Sequence, residues 1–330
     1  MTSERQLISQ IRAMAQASRN RAVLRGIGDD CAVLRLRPGA ELLLTTDLSI
    51  EDVHFRRKWH PPRSVGHRCL ARGLSDVAAM GGRPLACFLS LGLPPDLPQR
   101  WAGEFLDGLQ ALAKRYSVQL AGGDLSAAPK ITADIVVTGQ VPAGKALLRS
   151  TAKPGDRIFV TGQLGRSAAI LHRLYAGEHI RPARLDQHFF PEPRLATGRL
   201  LLRRGLATSM IDLSDGLSID LAHICQESGV SARIVASQIP VAQGADLNLA
   251  LHGGEDYELL FTTSARARPP RQLAGVEIAE IGVIQKDDGG PDVLRKKTRR
   301  QKNYGPAIEI LYENGRVEPL PPMGWQHFTK

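Results

Sequence analysis

Residues Arg149–Leu171 read RSTAKPGDRIFVTGQLGRSAAIL. Pro154-Gly155-Asp156 predicts a turn, Arg157–Thr161 a strand, and Gly162 and Gly165 a lead into a helix. A strand, glycine turn and helix that start afresh in mid-chain mark the head of a second α/β unit. The hinge falls at 145–152 and divides the 330 residues into 1–148 and 149–330, each long enough for its own core. GQLGRS within the stretch has a loose likeness to a phosphate loop, and its bland reading is an ordinary turn between strand and helix.

Working upstream, Glu41–Ile50 (ELLLTTDLSI) reads as a strand ending at Thr45, Thr46 and Asp47. After the Pro61-Pro62 turn, Ser64–Gly82 (SVGHRCLARGLSDVAAMGG) carries Leu70, Leu74 and Val77 as a helical stripe that Gly81-Gly82 stops. LACFLSLGLP is a buried strand, WAGEFLDGLQALAKRY a helix, VQLAGGDLS a strand running into a glycine turn, and ITADIVVTGQV a further strand. Downstream, MIDLSDGLSIDLAHICQESG has Leu217, Leu221 and Ile224 at helical spacing and stops at Gly229. The tripeptide LSD, ending in Asp76 and again in Asp215, is a faint echo between the halves. The fold class is α/β (α+β) in two domains.

Composition narrows the class. No apolar run approaches the roughly 18 residues of a membrane span, and MTSERQLISQIRAMA, with Leu7, Ile8, Ile11 and Met14 on one helix face, lacks a signal-peptide core. A cytoplasmic location is expected. Cys31, Cys69, Cys87 and Cys225 are widely spaced with no CxxC pair, so they read as reduced thiols rather than zinc ligands or disulfides. Net charge is +10, from 43 basic and 33 acidic residues, which favours an anionic partner. Six of the eight residues in RKKTRRQK, Arg295–Lys302, are cationic, but only Tyr304 is near, so the tract reads as a solvated loop rather than a nucleic-acid module.

The acidic residues carry more chemistry. Asp29 and Asp30 crowd like charges in GIGDDCAVL at the mouth of what reads as a buried strand, Asp47 ends a strand, Asp76 lies on a helix, Asp124 follows Gly122-Gly123, and Asp212 and Asp215 frame a helix start. Each has a structural role open to it: Asp76 can pair with Arg72, Asp215 can cap its helix, and Asp47 or Asp124 can close an Asx turn. Together they repeatedly adjoin glycines, hydroxyl residues and apolar segments. That oxygen-rich set, with Thr45 and Thr46 beside it and no histidine or cysteine partner, suits Mg2+ better than zinc. Several magnesium ions point to phosphoryl transfer between two anionic reagents. Neither a P-loop nor a protein-kinase motif set is present, so a nucleotide site here is of another design.

GIGDDCAVL, TTDLSIEDVHF, LSDVAAMGGRP, LAGGDLS, LLRSTAKPGD, IDLSDGLSIDL and GGEDYELLF, with GWQHF near the end, occur in the order and spacing of the thiamine-monophosphate kinases, and the chain resembles that family. The match runs from about Gly26 to Phe261. The family belongs to the superfamily of aminoimidazole-ribotide synthetase and selenophosphate synthetase. The resemblance implies a two-domain fold of the aminoimidazole-ribotide-synthetase type, with the N-terminal sheets of a homodimer forming a shared barrel. It implies ATP-dependent conversion of thiamine monophosphate to thiamine diphosphate by in-line transfer assisted by several Mg2+ ions, with no general acid or base. On matching positions, Asp30, Thr45, Thr46, Asp47, Asp76, Asp124, Asp212 and Asp215 are implied metal ligands. Gly123, Asp124, Arg149 and Ser214 are implied ATP contacts, and His54, Glu255 and Trp325 are implied to face the thiamine phosphate. No membrane or nucleic-acid partner is expected.

The chain departs from the family pattern at three points. Asp52 stands where glycine usually precedes VHF, beside His54. The basic tract enlarges the C-terminal region, so Trp325 is aligned across an insertion. Only the family pattern chooses Asp30 over Asp29. The rival readings are a sister synthetase of the superfamily, or a non-catalytic relative that binds nucleic acid through the basic tract.

Overall fold

The computed structural model describes residues 4–16, 20–28, 30–183, 186–287 and 308–324. The chain forms two compact units. The first comprises residues 1–146 with 173–195, and the second 147–172 with 196–330. The sequence placed a single boundary at 148/149; the structure adds a return of the chain, in which 173–195 belongs with the first unit.

In the first unit, α1 (Glu4–Gln16) precedes a small ribbon of β1 (Val23–Arg25) and β2 (Val33–Leu34). There follow β3 (Ala40–Ile50), α2 (Pro62–Ala79), β4 (Arg83–Leu93), α3 (Gln99–Arg115), β5 (Gln119–Ala127) and β6 (Thr132–Pro142). The sheet order is β3-β6-β4-β5, with β4 and β5 parallel and the other pairs antiparallel. Leu70, Leu74 and Val77 of the expected helical stripe are buried, and α2 ends just before Gly81-Gly82, as its glycines foretold. The two helices touch through main chain: a Cβ on Gly66 would lie 1.9 Å from the Phe105 carbonyl oxygen, and one on Gly108 1.9 Å from that of Arg63. Larger residues at either position would prise α2 from α3.

Three local expectations change. β3 does not stop at Thr45–Asp47 but pairs with β6 from Ala40 to Ile50, because an unbroken antiparallel ladder satisfies its main chain. The Gly122-Gly123 pair makes no turn: β5 runs through it, with a register shift opposite Cys87/Phe88, and Asp124 pairs with Ser90 inside the strand. The strand after Gly26–Asp30 is only two residues long and its Val33 is exposed, so Asp30 does not sit at the mouth of a buried strand.

The returning segment is clamped by side chains of α2 and its flanks. His60 Nε2 and His188 Nε2 lie 3.2 Å apart, both buried, and Arg68 donates to the His188 carbonyl. His67 Nε2 lies 2.8 Å from the Pro191 carbonyl oxygen, and Arg115 and Tyr116 both bond Glu192.

The second unit is built on a sheet of order β14-β13-β9-β12-β7-β10-β8, with β11 paired to β12. Its elements are β7 (Arg157–Thr161), α4 (Arg166–Tyr175, whose last turn is in the first unit), α5 (Leu195–Arg203), β8 (Ser209–Asp212), α6 (Leu217–Ser228), β9 (Val230–Val235) and α7 (Leu247–His252). β10 (Leu259–Thr263), β11 (Gln272–Leu273), β12 (Val276–Lys286), β13 (Ile308–Leu311) and β14 (Val317–Pro319) follow. Most pairs are antiparallel, β13 with β9 being parallel. Leu217, Leu221 and Ile224 are buried against this sheet, and Gly229, at φ +64°, caps α6 where the sequence stops it.

Among the described residues no helix is long and apolar enough to cross a membrane. Cys69, Cys87 and Cys225 are buried free thiols, with burial pushing Cys69 and Cys225 up to about 12; Cys31 is exposed. The basic tract Arg295–Lys302 lies outside the described residues.

Candidate active site

In the first unit, alternation along β3 sorts the expected ligands. Thr45 and Asp47 face α2: the Thr45 hydroxyl donates to Asp76 Oδ2, and Arg72 Nη2 lies 3.1 Å from Asp47 Oδ1. Arg72 also donates to the Leu48 carbonyl at 3.2 Å. Arg72 thus pairs with the strand carboxylate Asp47. Thr46 points to the opposite face and donates to Asp134 Oδ1 at 2.8 Å, so the structure does not bring its side chain to Thr45, Asp47 and Asp76. Asp134 was missed: only the register of β3 on β6 brings it to Thr46, and register is invisible in one strand read alone.

Asp30 and Asp124 line one cavity of about 440 Å3, with Ile8 and Ile11 of α1, Ile27, Phe88, Gly122 and Gly123 among its other walls. Gly123 has φ +149°, and a Cβ there would lie 1.9 Å from the Leu89 carbonyl oxygen, so glycine is required where the strand passes this cavity. Asp29 lies outside the described residues. His54 follows β3 in a tight turn in which its Nδ1 accepts the Ile50 N–H at 3.0 Å. A neutral His54 therefore carries its proton on Nε2.

In the second unit, main-chain bonds lace the β8–α6 turn to the GGEDY loop. Leu213 N–H donates to Glu258 O, Tyr257 N–H to Leu213 O, and Glu255 N–H to Ser214 O, each at 2.8 Å. Glu255 and Tyr257 take φ +67° and +51°, and a Cβ on Gly254 would meet Ser214 O at 2.8 Å. Asp212, Ser214, Asp215 and Glu255 are thus brought into one neighbourhood. Exposed Arg149 adjoins it: its carbonyl accepts Ser228 Oγ at 2.8 Å, and burial, helped by its charge, holds His223 below the usual imidazole range.

Two acids that sequence reasoning passed over complete this region. Asp220, on α6, accepts the N–H groups of Asp215 at 3.1 Å and Gly216 at 3.0 Å. The N-cap is Gly216, with no side-chain cap bond, where the sequence had offered Asp215, and Asp220 holds the main chain that enters the helix. Burial, with Asp212 and Asp215 nearby, raises its carboxyl well above the usual range. Asp215, Asp220 and His223 offer ligand atoms within 4.8 Å of one another, the one such group of three among the described residues; of the eight expected metal ligands it contains Asp215. Asp256 accepts Gly165 N–H at 2.7 Å at the start of α4, and burial pushes it up to about 7. The GQLGRS loop is therefore filled by a carboxylate of the chain itself, in keeping with its bland reading.

Residues 28–141 match the AIR synthase related protein N-terminal domain, and 153–291 the C-terminal domain of the same family. The thiamine-monophosphate kinase of Salmonella typhimurium is 40% identical over 287 residues, covering 82% of this chain and 87% of that protein. The chain belongs to the thiamine-monophosphate kinase family. Among solved structures, the thiamine-monophosphate kinase of Stenotrophomonas maltophilia superposes with a TM-score of 0.75 at 34% identity, covering 86% of this chain and 94% of that one. AaThiL complexed with AMPPCP and TMP gives 0.73 at 29% identity, covering 98% and 97%.

Asp52, the departure from the thiamine-monophosphate kinase pattern, has φ +66°, the backbone region that favours glycine. Aspartate enters that region more readily than most residues, and here Lys130 Nζ lies 3.0 Å from its carboxylate, which holds the Asp52 carboxyl below the usual range. Trp325 lies outside the described residues. Gly324 before it is described, and a Cβ there would lie 2.5 Å from Asp215 O.

Proposed function

We propose that this chain transfers the γ-phosphoryl group of ATP to thiamine monophosphate, giving thiamine diphosphate and ADP, with Mg2+ bound by its aspartates. Kinship carries the reading: 40% identity to a thiamine-monophosphate kinase across 82% of the chain, and 29% to a relative complexed with AMPPCP and TMP. Asp30, Thr45, Thr46, Asp47, Asp76, Asp124, Asp212 and Asp215 are the metal-binding set in this reading. Their carboxylate and hydroxyl oxygens fit a hard cation, although Thr46 faces away from Thr45 and Asp47. When bound, the metal neutralises phosphate charge. Gly123 lets the β5 main chain pass close to the nucleotide, Arg149 and Ser214 hold phosphate oxygens, and Asp124 serves both nucleotide and metal.

The acceptor is a phosphate oxyanion. One of its oxygens forms a bond to the γ-phosphorus while the bond to the bridging oxygen of ADP breaks, and no proton has to be removed. The side chains bind, orient and exclude water, and none acts as a general base. His54, with Nδ1 engaged by Ile50, presents Nε2–H to the thiamine phosphate; Glu255 and Trp325 suit its cationic ring system.

The protein acts as a cytoplasmic homodimer in this reading. Leu42, Leu44 and Leu48 alternate outward on β3, Leu44 being 64% exposed, and a second copy covering them would make the shared barrel. The test is incubation with Mg2+, ATP and thiamine monophosphate followed by product separation. Thiamine diphosphate with equimolar ADP is the expected result; ATP consumption that needs a different acceptor would move the chain to a sister activity.

A further inference from the structure

Gly216, the residue before α6, has φ +122°, and a Cβ there would lie 3.0 Å from the His252 carbonyl carbon and oxygen. The N-cap position therefore supplies no side-chain acceptor of its own. Asp220, one turn inside the helix and 1% exposed, instead reaches back to the main chain that enters it. Its Oδ2 accepts both Asp215 N–H and Gly216 N–H. The placement is electrostatically unfavourable. Asp212 and Asp215 already put negative charge nearby, and a third buried carboxylate beside them is disfavoured by loss of water and by repulsion. What the side chain contributes is geometry: two main-chain N–H groups, of Asp215 and Gly216, converge on its one oxygen in the turn that carries Ser214 and Asp215.

We propose that Asp220 is a positioning residue: it fixes the main chain at Asp215 and Gly216 so that Asp215 and Ser214 are held ready for the magnesium nucleotide, while Asp220 itself touches neither. The inference rests on the reading that Asp212, Ser214 and Asp215 serve metal and ATP. It separates acceptor geometry from charge. Asparagine keeps an oxygen acceptor and removes the charge; alanine removes both.

The test compares the full-length wild-type chain with Asp220→Asn and Asp220→Ala in two measurements. The first is amide hydrogen exchange at Asp215 and Gly216 without ligand. The second is steady-state transfer to thiamine monophosphate, with half-saturation by MgATP and by the acceptor taken separately. Asp220→Ala is expected to exchange both amides at least about tenfold faster and to lose about tenfold in kcat/KM for MgATP, as loss of buried hydrogen bonds implies. KM for thiamine monophosphate should hold within about twofold, since the acceptor's binding is not what the clamp fixes. Asp220→Asn should restore exchange and kcat/KM to within about threefold of wild type, the acceptor being retained.

Wild-type turnover in Asp220→Ala overturns the inference alone. So does loss of turnover in Asp220→Asn with both amides still protected, since the charge would then be what matters. If Asp220→Ala does not fold, Asp220→Leu, which keeps much of the volume and lacks the acceptor, takes its place with the same expected and overturning results. A wild-type chain that transfers no phosphoryl group to thiamine monophosphate overturns the functional reading and the inference with it.

Discussion

Arg72 Nη2 stands 3.1 Å from Asp47 Oδ1, and the side chains are 17% and 22% exposed. A cation from α2 thus lies against the strand carboxylate that we propose as a magnesium ligand. Removing one partner of a partly buried pair takes countercharge away from the other, so Arg72→Met is expected to cost about 1–3 kcal/mol in urea unfolding. Mg2+ bound at Asp47, as proposed, would replace part of the lost charge. The Tm of Arg72→Met should therefore rise more on adding Mg2+ than that of wild type. Equal increments would mean that Asp47 binds no metal.

The turn at Asp52 tolerates a milder substitution. Its positive φ suits glycine, and its pair with Lys130 is exposed. Asp52→Gly should leave Tm and turnover near wild type, whereas Asp52→Val, with a branched Cβ in that region, should lower Tm. Thermal melts of the two variants check this, and a fall with Gly equal to that with Val would show that the ion pair rather than the backbone matters.

Much of this was readable in the residues. The helix after Pro61-Pro62 and its glycine stop, the start of α6 after Asp215 and its end at Gly229, and the fresh strand at Arg157 all follow from apolar spacing and turn chemistry. What escaped depends on partners far along the chain. Thr45 and Thr46 look alike in sequence, yet the two-residue period of a strand sends them to Asp76 and Asp134 on opposite faces. The return of 173–195 is held by pairs such as His60–His188, 128 residues apart, for which no local pattern exists. Asp220 was hidden for another reason: an acid one turn inside a helix reads as a solvated side chain, and only the fold shows that this part of α6 is buried. GGDL looked like a turn because paired glycines usually are one, whereas here they admit a close neighbouring strand.

That close approach is testable at Gly123. A Cβ there would stand 1.9 Å from Leu89 O, with φ at +149°, so Gly123→Ala must displace β5 from β4. A loss of about 2 kcal/mol or more is expected in chemical denaturation, together with weaker nucleotide binding. Wild-type stability would show that the strand pair yields freely.

Asp256 sets a pH dependence. Its folded value of about 7 lies above its ordinary 3.8, so between these values the folded chain binds more protons than the unfolded one. The stability it contributes is complete below about pH 4 and is lost as pH rises through 7. Asp256→Asn keeps an acceptor for Gly165 N–H and cannot ionise, so it should flatten the stability profile between about pH 4 and 7 and stabilise the chain relative to wild type at about pH 8. Parallel wild-type and variant profiles across that window would refute the assignment.

The most direct test of the account follows label from [γ-32P]ATP in a single turnover with thiamine monophosphate and Mg2+, using wild type, Asp47→Asn and Asp212→Asn, each shown by its melt to be folded. The account expects label in thiamine diphosphate with wild type and almost none with either variant. Transfer at wild-type rates by both variants would contradict it, because the carboxylates would then have no part in holding the metal.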